Sequence, residues 1–122
     1  MCGAFINKEI KMATAIIIPA RYGSSRLEGK PLLKACGKPI IQWVWEKAKA
    51  VPHVDRVIIA TDDDRIFSAC KEFGAEVEMT STNHKSGSDR IAEVAKRHPE
   101  IGYIINLQGD EPLIEQANIE LV

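Results

Sequence analysis

Strand-length apolar runs that alternate with segments of helical period predict an α/β protein, three α/β/α layers around a mainly parallel sheet. Three observations carry that expectation. Ala15, Ile16, Ile17 and Ile18 are apolar without alternation, the pattern of a strand covered on both faces. Ile40, Ile41, Val44, Ala48 and Val51 fall on one helical stripe. Hydrophobic residues make up 45% of the chain and charged residues 27%, the balance of an ordinary globular protein rather than a disordered or fibrous one.

In chain order, the first strand is expected over residues 14–19. A helix follows over residues 39–51, with Pro39 suited to its first turn. The second strand covers residues 56–60. Thr61 or Asp62 can then cap a helix that turns Ile66, Cys70 and Phe73 to one side and stops at Gly74. A weaker strand covers residues 75–79. Residues 88–98 show helical spacing at Ile91, Val94 and Ala95 before Pro99, and residues 103–107 form the fourth strand. No repeat or linker divides the chain. Residues 1–12 are read as an N-terminal extension, with Met12 as the natural start, and residues 13–122 as a nucleotide-binding part.

Composition excludes several function classes. A formal net charge of −1 lacks the basic field of a nucleic-acid binder, so any phosphate recognition must be local. Cys2, Cys36 and Cys70 are odd in number and widely spaced, which argues against a disulfide framework and for a reducing compartment. His53, His84 and His98 show no metal-ligand spacing. The apolar run at residues 15–18 is too short to cross a membrane, and residues 1–11 lack the pattern of a signal peptide, so a cytoplasmic protein is expected.

Chemistry concentrates in three places. The segment Pro19-Ala-Arg-Tyr-Gly-Ser-Ser-Arg-Leu-Glu-Gly-Lys-Pro-Leu33 follows the first strand and holds three cations among small residues. Gly23, Ser24 and Ser25 let backbone N–H groups turn toward an anion, and Arg21, Arg26 and Lys30 supply charge that can follow a triphosphate as it becomes pyrophosphate. The competing reading is a solvated basic loop. In Asn106-Leu-Gln-Gly-Asp-Glu-Pro112, a strand ends in glycine and two carboxylates, which suits Asp110 to a hard cation such as Mg²⁺. The alternative there is a cap for a helix starting after Pro112. The turn Ser86-Gly-Ser-Asp-Arg90 can cap a helix through Ser86 or Ser88. Arg90 in a first turn opposes the helix dipole, so it needs a partner such as Asp89 or a ligand. Asp62, Asp63 and Asp64 are read as structural acids at a helix start, and Trp43 and Trp45 as packing residues.

In content and order these three motifs resemble those of CMP-Kdo synthetases, the 3-deoxy-manno-octulosonate (Kdo) cytidylyltransferases. The resemblance runs from about residue 13 to the end of the chain. It implies a Rossmann-like nucleotide-diphosphosugar transferase fold, incomplete here at the C-terminus, with CTP and Kdo as substrates and Mg²⁺ as cofactor. It also implies a homodimer in the full-length enzyme, a role in lipopolysaccharide biosynthesis, and no nucleic-acid or membrane partner. By motif position, Arg21, Ser24, Arg26 and Lys30 would bind the CTP phosphates, with Arg21, Arg26 and Lys30 also catalytic. Gln108 and the turn Ser88, Asp89 and Arg90 would lie near the nucleoside, and Asp110 would bind the metal. Glu28 departs from the family's usual proline and Ser88 from its commoner threonine; the glutamate puts an anion beside the expected phosphates. Family chains are roughly twice as long, so this chain alone is expected to bind nucleotide without completing transfer. Sialic-acid cytidylyltransferases share the chemistry but not the Tyr-Gly-Ser-Ser-Arg-Leu of the first loop.

Overall fold

The computed structural model describes residues 12–23, 29–84 and 86–107. Four parallel strands form its sheet: β1 (Ala13–Ala20), β4 (Arg56–Thr61), β5 (Glu76–Met79) and β6 (Ile101–Asn106). A two-stranded antiparallel hairpin, β2 (Lys34–Ala35) and β3 (Lys38–Pro39), stands apart from it. The helices are α1 (Ile40–Lys49), α2 (Asp64–Glu72) and α3 (Gly87–Arg97), with a single 3-10 turn at Lys30–Leu32.

Side-chain alternation along β1 explains the layering. Ile16, Ile18 and Ala20 join Val57 and Ile59 of β4 in a core that also takes Ile41, Val44 and Ala48 of α1 and Ile66 and Cys70 of α2. Ala15 and Ile17 point the other way, with Ile58 and Ala60, onto Ile91 and Val94 of α3. Helices therefore cover both faces, as the unbroken apolar run of β1 requires. Trp45 meets Phe73 with ring centroids 5.1 Å apart, packing α1 against the end of α2, which agrees with the packing role expected of it.

The sheet order is β5-β4-β1-β6. The chain moves outward from β1 through β4 to β5, then returns through α3 to β6 on the opposite side of β1. That reversal makes the gap between the carboxyl ends of β1 and β6 a topological switch point, where open α/β sheets bind ligands.

Expected and observed elements agree within a few residues; the hairpin and the 3-10 turn are additions, and one helix cap differs. The hairpin turns at Cys36 and Gly37, both at positive φ. The indole N–H of Trp43 donates to the Ala35 carbonyl oxygen at 2.7 Å and so ties the hairpin to α1. Asp63, rather than Thr61 or Asp62, caps α2; its carboxylate accepts from the backbone N–H groups of Arg65 at 2.8 Å and Ile66 at 3.3 Å. The expected helix after Pro112 lies outside the described residues.

Candidate active site

Three loops leave the carboxyl edge of the sheet with the polar residues singled out in the sequence. The first leaves β1 at Arg21, which is exposed. Tyr22 follows, half-buried against the core, with the Arg65 guanidinium 3.3 Å from its ring centroid. Gly29 donates its N–H to the Tyr22 carbonyl oxygen at 2.5 Å and closes the neck of the loop. Its φ of +72° and a virtual Cβ only 2.8 Å from Cε1 of Tyr22 explain why glycine stands there. Lys30 and Pro31 then enter the 3-10 turn. Arg21 and Lys30 thus stand at the two feet of one loop. Ser24, Ser25 and Arg26 lie outside the described residues.

The second loop precedes α3. Ser86 is its cap, accepting the Asp89 N–H at 3.2 Å, while Ser88 and Asp89 are exposed at the helix start. Arg90 is fully buried. Its partner is not Asp89, because the side chain runs inward, beneath the loops that follow β4 and β5. There Nη2 donates to Asp62 Oδ2 at 3.2 Å, and Nη1 donates to the Ser81 carbonyl oxygen at 3.2 Å and to Thr80 Oγ1. Asp62, on a different element, offsets a cation that the dipole of α3 disfavours. These bonds link the start of α3 to the segments that follow β4 and β5, and the Arg90 side chain presents no exposed surface.

The third loop begins at Leu107, whose N–H donates to the Ile17 carbonyl oxygen at 3.3 Å, so the chain leaves β6 beside β1. Gln108 and Asp110 lie outside the described residues. Among the described residues no group of three or more His, Cys, Asp or Glu side chains is arranged to hold a metal ion. No described helix is long and apolar enough to cross a membrane.

The pKa shifts separate structural acids from the site. The Arg65 guanidinium, and next the amides of Ile66 and Arg65, hold the Asp63 carboxyl below its ordinary value. Burial pushes the Cys70 thiol up to about 12, which leaves it an inert core group. Sequence reasoning missed Asp62 and Thr80 as partners of Arg90. The available signal was a strand-tip acid in the same chain as a first-turn arginine with no local explanation.

The model of the family described as cytidylyltransferase matches residues 15–122. The 3-deoxy-manno-octulosonate cytidylyltransferase of Aliivibrio fischeri is 54% identical over 115 residues, covering 91% of this chain and 45% of that protein. The solved structure of a CMP:2-keto-3-deoxy-manno-octonic acid synthetase complexed with CTP superposes with a TM-score of 0.82 at 49% identity, over 89% of this chain and 45% of that one. A cytidylyltransferase from Leptospira borgpetersenii gives a TM-score of 0.78 at 31% identity, over 91% and 47% of the two chains. This chain thus spans less than half the length of these relatives. With the strand order of a switch-point α/β sheet and a family match over nearly the whole sequence, the chain belongs to the cytidylyltransferase family.

Proposed function

We propose that this chain is the nucleotide-binding part of an enzyme that transfers CMP from CTP to Kdo, giving CMP-Kdo and pyrophosphate. The observation that carries the reading is the pairing of β1 with β6, so that the two motif-bearing segments start from neighbouring strands at the switch point, one at Arg21 and one at Leu107. Relatives at about half identity that are named for this reaction, one of them solved with CTP, support the choice of nucleotide and acceptor.

In this reading the anomeric hydroxyl oxygen of Kdo bonds to the α-phosphorus of CTP as the bond to the β-phosphate oxygen breaks. The hydroxyl proton passes to solvent and pyrophosphate departs. Such displacements depend mainly on alignment and on countering charge at the leaving oxygens. Arg21, Arg26 and Lys30 supply that charge, with Ser24 and Ser25 offering backbone N–H groups. Ser88 and Asp89, exposed in the first turn of α3, and Gln108 lie near the nucleoside, and Arg90 ties the start of α3 to the segments that follow β4 and β5.

A divalent metal of the Mg²⁺ type belongs to this reading. Such an ion takes one or two carboxylates and completes its shell with water and phosphate oxygens, so it needs no three-residue cage, and Asp110 provides a carboxylate three residues after Leu107. When bound, it would polarise the phosphate oxygens and neutralise the departing pyrophosphate.

Pyrophosphate release by the full-length enzyme that requires CTP, Kdo and a divalent cation together supports the assignment. Release with sialic acid in place of Kdo would move the acceptor, and failure of the protein to bind CTP would overturn the reading. A nucleotide-binding role without transfer is the second reading, favoured because every residue identified serves the nucleotide; CTP binding without release by the full-length protein would select it.

A further inference from the structure

Arg90 heads the large side chains held wholly out of solvent, and its Nε has no partner among the described residues. A buried ion pair is seldom more stable than apolar residues of the same size, and an unsatisfied N–H adds a cost. Stability therefore gives no reason for an arginine at this place.

The register of the sheet gives one. Ala20 and Thr61, the last residues of β1 and β4, lie side by side, so Arg21 and Asp62 are the first residues beyond two strands whose axes run about 4.8 Å apart. Arg21 is exposed and makes no ion pair among the described residues, whereas Asp62 gives its carboxylate to Arg90, 28 residues away in sequence. Thr80 and Ser81 hold the same guanidinium from the β5 side. Left untied, the Asp62 carboxylate would sit beside the foot of the phosphate loop, where it would repel a polyphosphate and compete with it for Arg21.

We propose that Arg90 is a positioning residue that draws the Asp62 carboxylate away from Arg21 and so keeps the β1 loop cationic for a polyphosphate. The inference rests on the nucleotide-binding reading of that loop. Arg90 touches no ligand; it acts through Asp62.

The test is a two-by-two set of variants titrated with CTP·Mg²⁺ and with inorganic triphosphate. Arg90→Gln, which frees the acid, should weaken both probes by about tenfold or more at low ionic strength, and the loss should shrink in about 0.5 M salt. Asp62→Asn should bind within about threefold of the parent or more tightly. The double variant Arg90→Gln, Asp62→Asn should recover to within about twofold of Asp62→Asn alone, a rescue that a purely structural arginine would not give. A tenfold loss in Asp62→Asn, or no recovery in the double variant, overturns the proposal. If Arg90→Gln loses its cooperative melting transition, Asp62→Asn and its salt dependence decide alone. A parent protein that binds triphosphate in the expected order of variants but does not prefer CTP overturns the cytidine reading and leaves this inference standing. A parent that binds neither probe overturns both.

Discussion

The two edges of the parallel sheet carry similar charges and use them in opposite ways. At the amino edge the charges satisfy one another. Arg56, the first residue of β4, donates to Glu100 Oε2 at 2.8 Å and to both carboxylate oxygens of Glu76 at the start of β5. His98 lies 2.6 Å from Glu78 Oε2 and 3.3 Å from Glu100 Oε2, and Arg97 joins Glu78 to Glu93. Glu93 Oε1 lies 2.5 Å from the ring of His84, so the chain of partners runs the length of α3. At the carboxyl edge Arg21 stands exposed with no ion pair among the described residues, and the nearby acid Asp62 is tied to a buried arginine instead. On the reading proposed above, a charge answered by its neighbours serves the fold, while Arg21, kept apart from a nearby acid, serves a ligand.

That contrast breaks if the carboxyl edge turns out to be merely structural. The largest effect is expected from Asp110→Asn in the enzyme. Loss of a metal-ligating carboxylate should slow turnover by about a hundredfold or more, with a nearly unchanged melting temperature. A near-normal rate would make Asp110 only a helix cap. Next, Arg21→Gln should raise KM for CTP about tenfold to a hundredfold, the worth of about 1.5–3 kcal/mol for a charged hydrogen bond, again without lowering the melting temperature. Arg56→Gln should do the reverse. The hydrogen bond to Glu76 and the charges of Glu76, Glu100 and Glu78 raise the Arg56 pKa above its ordinary value, and removing the guanidinium should cost about 1 kcal/mol and a few degrees of melting temperature. Its CTP affinity should stay at the parent level, and a parallel loss of affinity would count against separating the two edges.

The sequence made some of this visible and hid the rest for physical reasons. The sheet was legible because apolar runs of strand length leave few other options: Ala15 to Ile18 read as a doubly covered strand and became the centre of the core. Helix positions were legible to within a few residues from spacing alone. The cap of α2 was misplaced onto Thr61 or Asp62 because adjacent residues of similar capping strength differ only in backbone conformation, which Asp63 supplies with φ −119° and ψ 128°. The β2–β3 hairpin is two residues per strand, too short for an alternating pattern to register. Hardest to see were charge partners. Arg90 meets Asp62 across 28 residues, and Arg56 meets Glu100 across 44. Nothing local marks either pair, and the sequence offers Arg90 only its neighbour Asp89 or a ligand. The loop cations were legible as a group because Arg21 and Lys30 bracket one glycine- and serine-rich segment, which is a local pattern.

The smallest expected effect concerns acid stability and sharpens the picture of the network. The Ser81 N–H donates to Glu93 Oε1 at 3.0 Å, and this bond, followed by the contact with His84 and the charge of Arg97, holds the Glu93 carboxyl below its ordinary value of 4.5. A carboxyl whose pKa is lower when folded stabilises the protein above its unfolded pKa, and that contribution fades as pH falls through the folded value. Glu46 and Glu100 are lowered as well, the first chiefly by Lys38 and the second chiefly by its own backbone N–H, so the protein as a whole should lose stability below about pH 4.5. Glu93→Gln keeps an oxygen able to accept the Ser81 N–H but can no longer gain or lose a proton. Its melting temperature should lie slightly below the parent's at pH 7, fall less steeply from about pH 5 to pH 3, and converge on the parent's at the acid end. Melting curves measured across that range check this. Parallel curves would mean that the charge of Glu93 adds nothing to the fold, and a change in CTP affinity at pH 7 would tie the α3 network to the carboxyl edge after all.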